Sequence, residues 1–154
     1  MAAAVETLIE RMNNSSQLNT SLHTDLAFER GESVTRLDPQ LEATIYRVVQ
    51  ESLNNVAKHA HATNTSVSIV ESGEQITIFI EDDGAGFSTA DGLGDRFGLH
   101  GMRERVQISS GTLDIDSAPG KGTRVEVHLP NTLAADAALA EVSSPDSSGS
   151  RLLS

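Results

Sequence analysis

The sequence contains no cysteine and no tryptophan, and only one tyrosine and four phenylalanines among 154 residues. Disulfides and thiolate metal sites are therefore excluded, and any core must be built from aliphatic side chains. No apolar run approaches the roughly 20 residues that a membrane-spanning helix needs, and no signal peptide is recognisable. We therefore expect a cytoplasmic domain, which is also compatible with the soluble part of a membrane-anchored parent.

Positive charge is scarce as well, with 11 Lys and Arg against 22 Asp and Glu and a formal net charge of -11. Nucleic-acid binding is not expected, because it requires a basic surface. An anionic ligand would have to be held by local features against the field of the whole protein. The chain is long enough for one domain with a sizeable core.

One stretch, Ile45–His61, is predicted to form a helix with two different faces. Asp38 and Pro39 precede it as a favoured N-cap and first helical residue. At about 100° per residue, one stripe is apolar and a second is polar. The apolar stripe is Ile45, Val49, Leu53, Val56 and Ala60, and the polar stripe is Glu51, Asn55 and Lys58. The apolar stripe can pack on a sheet, whereas the polar stripe is either a solvated face or a site built on a rigid element.

The remaining elements follow from periodicity and turn residues. Helices are predicted over 4–13 and 102–110, strands over 21–29, 66–71 and 75–81, and a hairpin over 112–117 and 123–129. The polar, glycine-containing stretch 88–97 is expected to be a mobile loop. The expected domains are an N-terminal helix over 1–18, one folded domain over 19–130, and a disordered tail over 131–154 that is rich in Ala, Ser and Asp.

Two glycine-bearing segments have compositions suited to binding. The predicted strand QITIFIE runs directly into Asp82, and Gly84 and Gly86 follow. These residues form either a simple turn or a carboxylate beside an opening for a flat ligand. Gly98-Leu99-His100-Gly101-Met102 leads into a helix, so it is either a flexible connection or a phosphate site at a helix N-terminus. Neither a P-loop nor a dinucleotide-binding glycine motif is complete anywhere in the chain.

The order of these features resembles a known family. Glu51-x-x-x-Asn55, Asp82-x-Gly84-x-Gly86, Gly98-Leu99-x-Gly101-Met102 and Gly120-x-Gly122-Thr123 are similar to the four boxes of one ATPase superfamily. This superfamily comprises gyrase, heat-shock-90, histidine-kinase and mismatch-repair ATPases. More narrowly, YRVVQESLNNVAKHA and GLHGMRERV resemble the catalytic ATP-binding domain of two-component sensor histidine kinases of the nitrate-sensor type. The resemblance covers about residues 20–130.

The resemblance implies a fold, cofactors and site residues. The implied fold is an α/β two-layer sandwich of a mixed, mainly antiparallel sheet with helices on one face, the Bergerat type. The implied cofactors are ATP and Mg²⁺, with Asn55 as the metal ligand. Glu51 is at the position where relatives that hydrolyse ATP have a general base. The implied nucleotide-binding residues are Asn55, Lys58, His59, Asp82, Gly84, Gly86, Gly98, Leu99, His100, Gly101, Met102 and Thr123.

The same resemblance implies transfer of the γ-phosphoryl group of ATP to a histidine. None of the five histidines of this chain lies in an acceptor motif, so the acceptor is expected on a dimerisation domain of which residues 1–18 would be the end. A response regulator of helix-turn-helix type is the expected partner, with a monomeric fragment and a homodimeric parent. The alternative is an anti-sigma-factor-like serine kinase of the same superfamily. Two positions depart from the family pattern, Asp83 in place of Asn and Arg96 in place of Gly.

Overall fold

The computed structural model describes residues 1–33, 36–90 and 98–131, in which five strands form one sheet. The strands are β1 (Asn19–Asp25), β2 (Asn64–Ser72), β3 (Gln75–Asp82), β4 (Thr112–Ser117) and β5 (Thr123–Pro130). Their spatial order is β1-β2-β3-β5-β4. Only β1 and β2 pair in parallel, and the other pairs are antiparallel.

Three α-helices, α1 (Ala2–Ser15), α2 (Pro39–Asn55) and α3 (Leu99–Ile108), contribute with one face of the sheet to a single core. Ile76, Ile78 and Ile80 alternate along β3 and are almost fully buried, because successive side chains of a strand point to opposite faces. Burial of this single face confirms the predicted two-layer α/β fold. Among the described residues, no helix is long and apolar enough to cross a membrane.

The predicted start of α2 is confirmed, and the sequence did not show that the last turn of this helix changes geometry. Asp38 Oδ1 accepts a hydrogen bond from the Gln40 N–H at 3.3 Å, and Pro39 is the first helical residue. The predicted helix over Ile45–His61 is helical as far as Ala60, but it is an α-helix only to Asn55, and its last turn, Val56–Ala60, is π-helical. The Ala60 carbonyl accepts from the Ala85 N–H at 2.7 Å, which ties this turn to the loop after β3.

Two other predicted boundaries also move. β1 covers Asn19–Asp25 rather than 21–29, because the chain turns after Asp25, with Arg30 N–H donating to the Leu26 carbonyl at 3.0 Å. α3 begins at Leu99 instead of 102 and ends at Ile108.

The earlier start of α3 has a packing reason. Leu99, Met102 and Val106 are all buried, and their spacing continues the apolar stripe back through the first turn. The other predicted strands and the helix over 4–13 are confirmed within two or three residues. Of the expected mobile loop over 88–97, residues 91–97 with Arg96 lie outside the described residues, and so do residues 132–154 of the expected tail over 131–154.

Candidate functional site

A slot lies between α2, α3 and the end of the sheet that carries the C-terminal residues of β3. It encloses about 630 Å³ when its open mouth is included. Its walls are mainly apolar, with a few polar groups. The apolar lining is Val56, Ala60, Ile80, Gly86, Phe87, Leu99, Met102, Ile115 and Val125, and the polar lining is Ser52, Asn55, His59, Asp82 and Thr123.

The register of the sheet explains why the slot is apolar along its length and polar at one end. Val67, Ile80, Val125 and Ile115 are cross-strand neighbours and form an apolar row. Two residues further along each strand, the same face carries the polar row, which we define as Thr20, Thr65, Asp82, Thr123 and Ser117. A flat ring lying on the apolar row would therefore meet hydrogen-bonding groups at its edge.

Asp82 is the only ionisable member of the polar row. Its Oδ1 accepts from the Gly84 N–H at 2.8 Å. Burial raises the pKa of the Asp82 carboxyl, with the neighbouring Asp83 charge adding to the rise and the backbone N–H groups of Gly84 and Thr123 opposing it. An ionised carboxylate accepts several hydrogen bonds, so Asp82 can receive an amine from a ligand in the slot.

The glycines after Asp82 are required by close approaches between backbone segments. A Cβ on Gly84 would lie 2.3 Å from the Ala60 carbonyl oxygen, and one on Gly86 would lie 2.1 Å from the Ala118 carbonyl oxygen. Gly122 has φ 72°, and a Cβ there would lie 2.0 Å from the Asp82 carbonyl oxygen. The loop after β3 is thus held between the π-helical turn and the β4–β5 connection, which fixes Asp82.

Ser117 and Ser52 are two site residues that sequence reasoning missed. The buried Ser117 hydroxyl accepts from the Phe87 N–H at 2.9 Å and lies 2.8 Å from Thr123 Oγ1. Ser52 donates to the Met102 sulfur at 3.8 Å and so links α2 to α3 inside the slot. Since Ser117 pairs with Thr123 in register, the predicted hairpin could have placed it beside the site.

Asp83, which departs from the family pattern, has a structural role at the start of β2. Its Oδ1 accepts from the N–H groups of Thr63 and Asn64 at 2.8 and 2.9 Å, and its Oδ2 accepts from Asn64 Nδ2 at 2.9 Å. These donors lower the pKa of the Asp83 carboxyl. The side chain is exposed, and it anchors the loop after β3 to the start of β2.

The polar stripe of α2 is only partly directed into the slot. Asn55 and His59 line it, whereas Lys58 is exposed and does not. The Glu51 carboxylate lies instead against Gly98, where an added Cβ would be 2.8 Å from Glu51 Oε1. Gly98 has φ 69° and is the N-cap of α3, so Glu51 contacts the start of that helix.

Of the α3 residues that were predicted to contact phosphates, some line the slot and others do not. Leu99 and Met102 line the slot. His100 is exposed and lies 3.1 Å from Glu104 across one turn, and Gly101 is exposed on a different groove.

The residues present fit a nucleotide and its metal. Within the described ranges, no cluster of three or more His, Cys, Asp or Glu side chains could hold a metal ion by itself. Mg²⁺ commonly takes few protein ligands and completes its shell with phosphates and water. The Asn55 side-chain oxygen in the slot is compatible with that mode of binding, and the apolar row with Asp82 is compatible with an aromatic base.

A mainly apolar slot lined by one carboxylate, that of Asp82, is compatible with a planar ring that carries an amine. Residues 40–133 match the family described as "Histidine kinase-, DNA gyrase B-, and HSP90-like ATPase". The chain belongs to this ATPase family.

Its curated relatives include sensor kinases. It is 38% identical over 130 residues to the signal transduction histidine-protein kinase/phosphatase UhpB of Salmonella typhimurium, covering 84% of this chain and 24% of UhpB. It is 33% identical over 131 residues to the oxygen sensor histidine kinase NreB of Staphylococcus carnosus, covering 84% of this chain and 36% of NreB. The chain thus spans about a quarter to a third of these relatives.

Solved structures confirm the fold. The blue-light activated histidine kinase of Erythrobacter litoralis EL346 superposes with a TM-score of 0.65 at 22% identity, over 83% of this chain and 41% of that one. The Acinetobacter baumannii histidine kinase AdeS gives a TM-score of 0.65 at 19% identity, over 84% and 64% of the two chains. The Bergerat-type fold expected from the sequence is confirmed.

Proposed function

We propose that this chain is the ATP-binding catalytic domain of a sensor histidine kinase. Asp82 carries the proposal, because it is the one acidic side chain among the described residues that line this largely apolar slot. The adenine amino group would donate to Asp82, and the ring would lie on the apolar row. The similarity to UhpB and NreB supports a kinase within two-component signalling.

The phosphates would extend from the base toward Asn55 and the start of α3. The first N–H groups of an α-helix lack intrahelical partners and favour anions. Mg²⁺, held by Asn55 and the phosphates, would supply the charge neutralisation on which phosphoryl transfer depends. Lys58, His59, Gly84, Gly86, Gly98, His100, Gly101 and Thr123 are proposed to complete the nucleotide site.

In the proposed reaction, an imidazole nitrogen on a dimerisation domain attacks the γ-phosphorus of ATP. The bond from that phosphorus to the β–γ bridging oxygen breaks, ADP leaves, and a phosphohistidine forms. Catalysis of such a step rests mainly on positioning and electrostatics. We further propose a homodimeric parent, a helix-turn-helix response regulator as partner, and domain boundaries near residues 19 and 130.

The adenine role is tested with Asp82→Asn, with Asp114→Asn as the matched control. Asp114 is exposed on β4, and its change alters the net charge equally. We expect Asp82→Asn to weaken ATP binding roughly fivefold to tenfold, because its amide oxygen can still accept from the amine but lacks the charge that strengthens the hydrogen bond. Titration calorimetry measures both variants, and an unchanged affinity in Asp82→Asn would refute the proposal.

The metal role is tested with Asn55→Ala, measured with Mg²⁺ and again with EDTA. Asn54→Ala is the control, because Asn54 does not line the slot. We expect Asn55→Ala to reduce ATP affinity more in Mg²⁺ than in EDTA. Equal losses under the two conditions would show that Asn55 does not bind the metal.

The acceptor is tested with γ-labelled ATP and a histidine-bearing dimerisation domain supplied in trans. We expect an acid-labile, base-stable label on that domain, as a phosphohistidine requires. An acid-stable phosphoserine on a protein partner would favour the serine-kinase alternative instead.

A further inference from the structure

The buried hydroxyl of Ser117 contacts the slot through a neighbouring side chain. Ser117 is 7% exposed. It is paired in register with Thr123, which is paired in turn with Asp82. Directly paired residues have Cβ atoms about 5 Å apart on the same face of a sheet. Thr123 and Asp82 line the slot, whereas Ser117 contacts Thr123 from the next strand.

Three groups surround the Ser117 oxygen at hydrogen-bond distance. The Phe87 N–H donates to it at 2.9 Å, the Gly122 carbonyl oxygen lies 2.9 Å away, and Thr123 Oγ1 lies 2.8 Å away. A carbonyl can only accept, and a serine hydroxyl has one proton to donate. If that proton went to Thr123, the Ser117 and Gly122 oxygens would face each other at 2.9 Å with no hydrogen between them. All three contacts are satisfied when Ser117 donates to Gly122 and accepts from Phe87 and Thr123.

This arrangement fixes the direction of the Thr123 hydroxyl proton. Because the proton is donated to Ser117, the Thr123 oxygen has only lone pairs left for a ligand. An ionised carboxylate likewise only accepts, and the Gly84 N–H donates to Asp82 at 2.8 Å. The two paired polar groups that line the slot therefore both require donors from a ligand.

We infer that Ser117 is a positioning residue that leaves Thr123 as an acceptor, so that the slot selects a base carrying an amine over one carrying a carbonyl oxygen at that edge. Ser117 does not line the slot and acts through Thr123. A carbonyl oxygen on the base would lie against two acceptors, and a site whose polar groups are left unpaired rejects a close analogue. This inference rests on the proposed binding of adenine at Asp82.

The experiment compares the affinities of ADP and inosine diphosphate for the full chain by titration calorimetry. Inosine diphosphate has a carbonyl oxygen where ADP has its amine, and wild type should bind ADP more tightly. In Ser117→Ala the Thr123 hydroxyl can turn and donate. We therefore expect the preference for ADP to fall about fivefold, the value of about one neutral hydrogen bond. Ser66→Ala is the matched control, because Ser66 is exposed on β2, and it should keep the preference.

A Thr123 variant tests the direction of the proton without changing Ser117. Purine riboside diphosphate has the ring nitrogens of adenine but no amine. Thr123→Val should weaken ADP binding and leave the affinity for purine riboside diphosphate unchanged, because only an amine donates to Thr123. Equal losses for the two nucleotides would show that Thr123 donates to the base, which would overturn the inference. Adding Ser117→Ala to Thr123→Val should not lower the preference for ADP over inosine diphosphate any further, because both changes act on one hydroxyl.

A purely structural role of Ser117 would give a different result. If Ser117 only holds the backbone of Phe87 and Gly122, Ser117→Ala weakens both nucleotides by the same factor and keeps the preference, and the inference is overturned. Equal binding of ADP and inosine diphosphate by wild type would overturn it too. If Asp82→Asn weakens ADP binding and Ser117→Ala keeps the preference, only this inference fails. If Asp82→Asn has no effect, the proposed function fails and this inference fails with it.

Discussion

At the scale of single residues, two adjacent carboxyl groups show how position decides role. Asp82 ends β3 and points into the slot, where burial raises its pKa. Asp83 is exposed, and donors from Thr63 and Asn64 lower its pKa. One carboxylate is available to a ligand, and the other is engaged in anchoring a loop.

The role of Asp83 predicts a dependence of stability on pH. A carboxyl whose pKa is lowered by folding stabilises the protein above its unfolded pKa, and this stabilisation is lost as the pH falls through the lowered value. Asp83→Ala should therefore lower the melting temperature at pH 7, and the difference from wild type should shrink below about pH 4. Asp83→Asn should cost less at pH 7, because its amide oxygen can still accept from both backbone N–H groups. A difference between wild type and Asp83→Ala that stays constant from pH 7 to pH 3 would contradict this account.

Residues that line the slot could be predicted from the sequence where a sequence motif contains them. They could not be predicted where only the register of paired strands brings their side chains together. Asp82, Asn55, His59, Leu99, Met102 and Thr123 all line the slot. Ser117 and Thr65 join Asp82 only through strand pairing, and no local pattern marks a buried hydroxyl. Lys58 shares the helical stripe of Asn55, but it lies on the π-helical turn, where the spacing of an ideal α-helix no longer applies.

At the scale of elements, hydrophobic periodicity predicted which segments form strands and helices more accurately than it predicted the residues at which they begin and end. The apolar stripe of α3 reaches back to Leu99, but the glycines at 98 and 101 favoured a later start. Alternation over 21–29 continued through Leu26 and Phe28, although the backbone already turns there. Packing in the core decides the start of α3, and at the end of β1 the Ala27 N–H donates to Glu71 Oε2 on β2 at 2.7 Å. Local sequence reveals neither contact.

The glycines of the loop after β3 offer a test of packing between elements. Gly122 and Gly73 both have positive φ, but a Cβ on Gly122 would lie 2.0 Å from the Asp82 carbonyl oxygen, whereas Gly73 has nothing within 4 Å. Gly73→Ala should cost about 1–2 kcal/mol for the left-handed conformation alone. Gly122→Ala should cost about 1–3 kcal/mol more, because the β4–β5 connection must move away from Asp82. Urea unfolding measures both, and equal losses would mean that the close approach has no energetic weight.

Gly122→Ala should also weaken ATP binding, because the carbonyl that would clash belongs to Asp82 itself. Gly73→Ala should leave ATP affinity unchanged, since the β2–β3 turn is at the opposite end of β3. A variant of Gly122 that binds ATP normally would show that Asp82 is not held by this contact.

At the scale of the whole molecule, the site must act against the charge of the protein that contains it. The net charge is -11, and ATP is also an anion, so the two repel at long range. Under the proposed function, attraction would arise close to the slot, from the start of α3 and from nearby basic groups such as Lys58. Under the proposed function, recognition of the base by Asp82 and the apolar row would therefore provide much of the affinity.

Long-range repulsion combined with short-range attraction predicts that the association rate of ATP increases with salt concentration. Raising the ionic strength from 0.01 to 0.15 M shortens the Debye length from about 30 Å to about 8 Å, which screens the long-range repulsion more than contacts inside the slot. The association rate of metal-free ATP should therefore rise with salt, whereas that of uncharged adenosine should not change. Stopped-flow measurements with a fluorescent base analogue of each ligand make the comparison. If the ATP rate falls with salt, the local basic groups govern the approach, and affinity for ATP depends on its phosphates more than on its base.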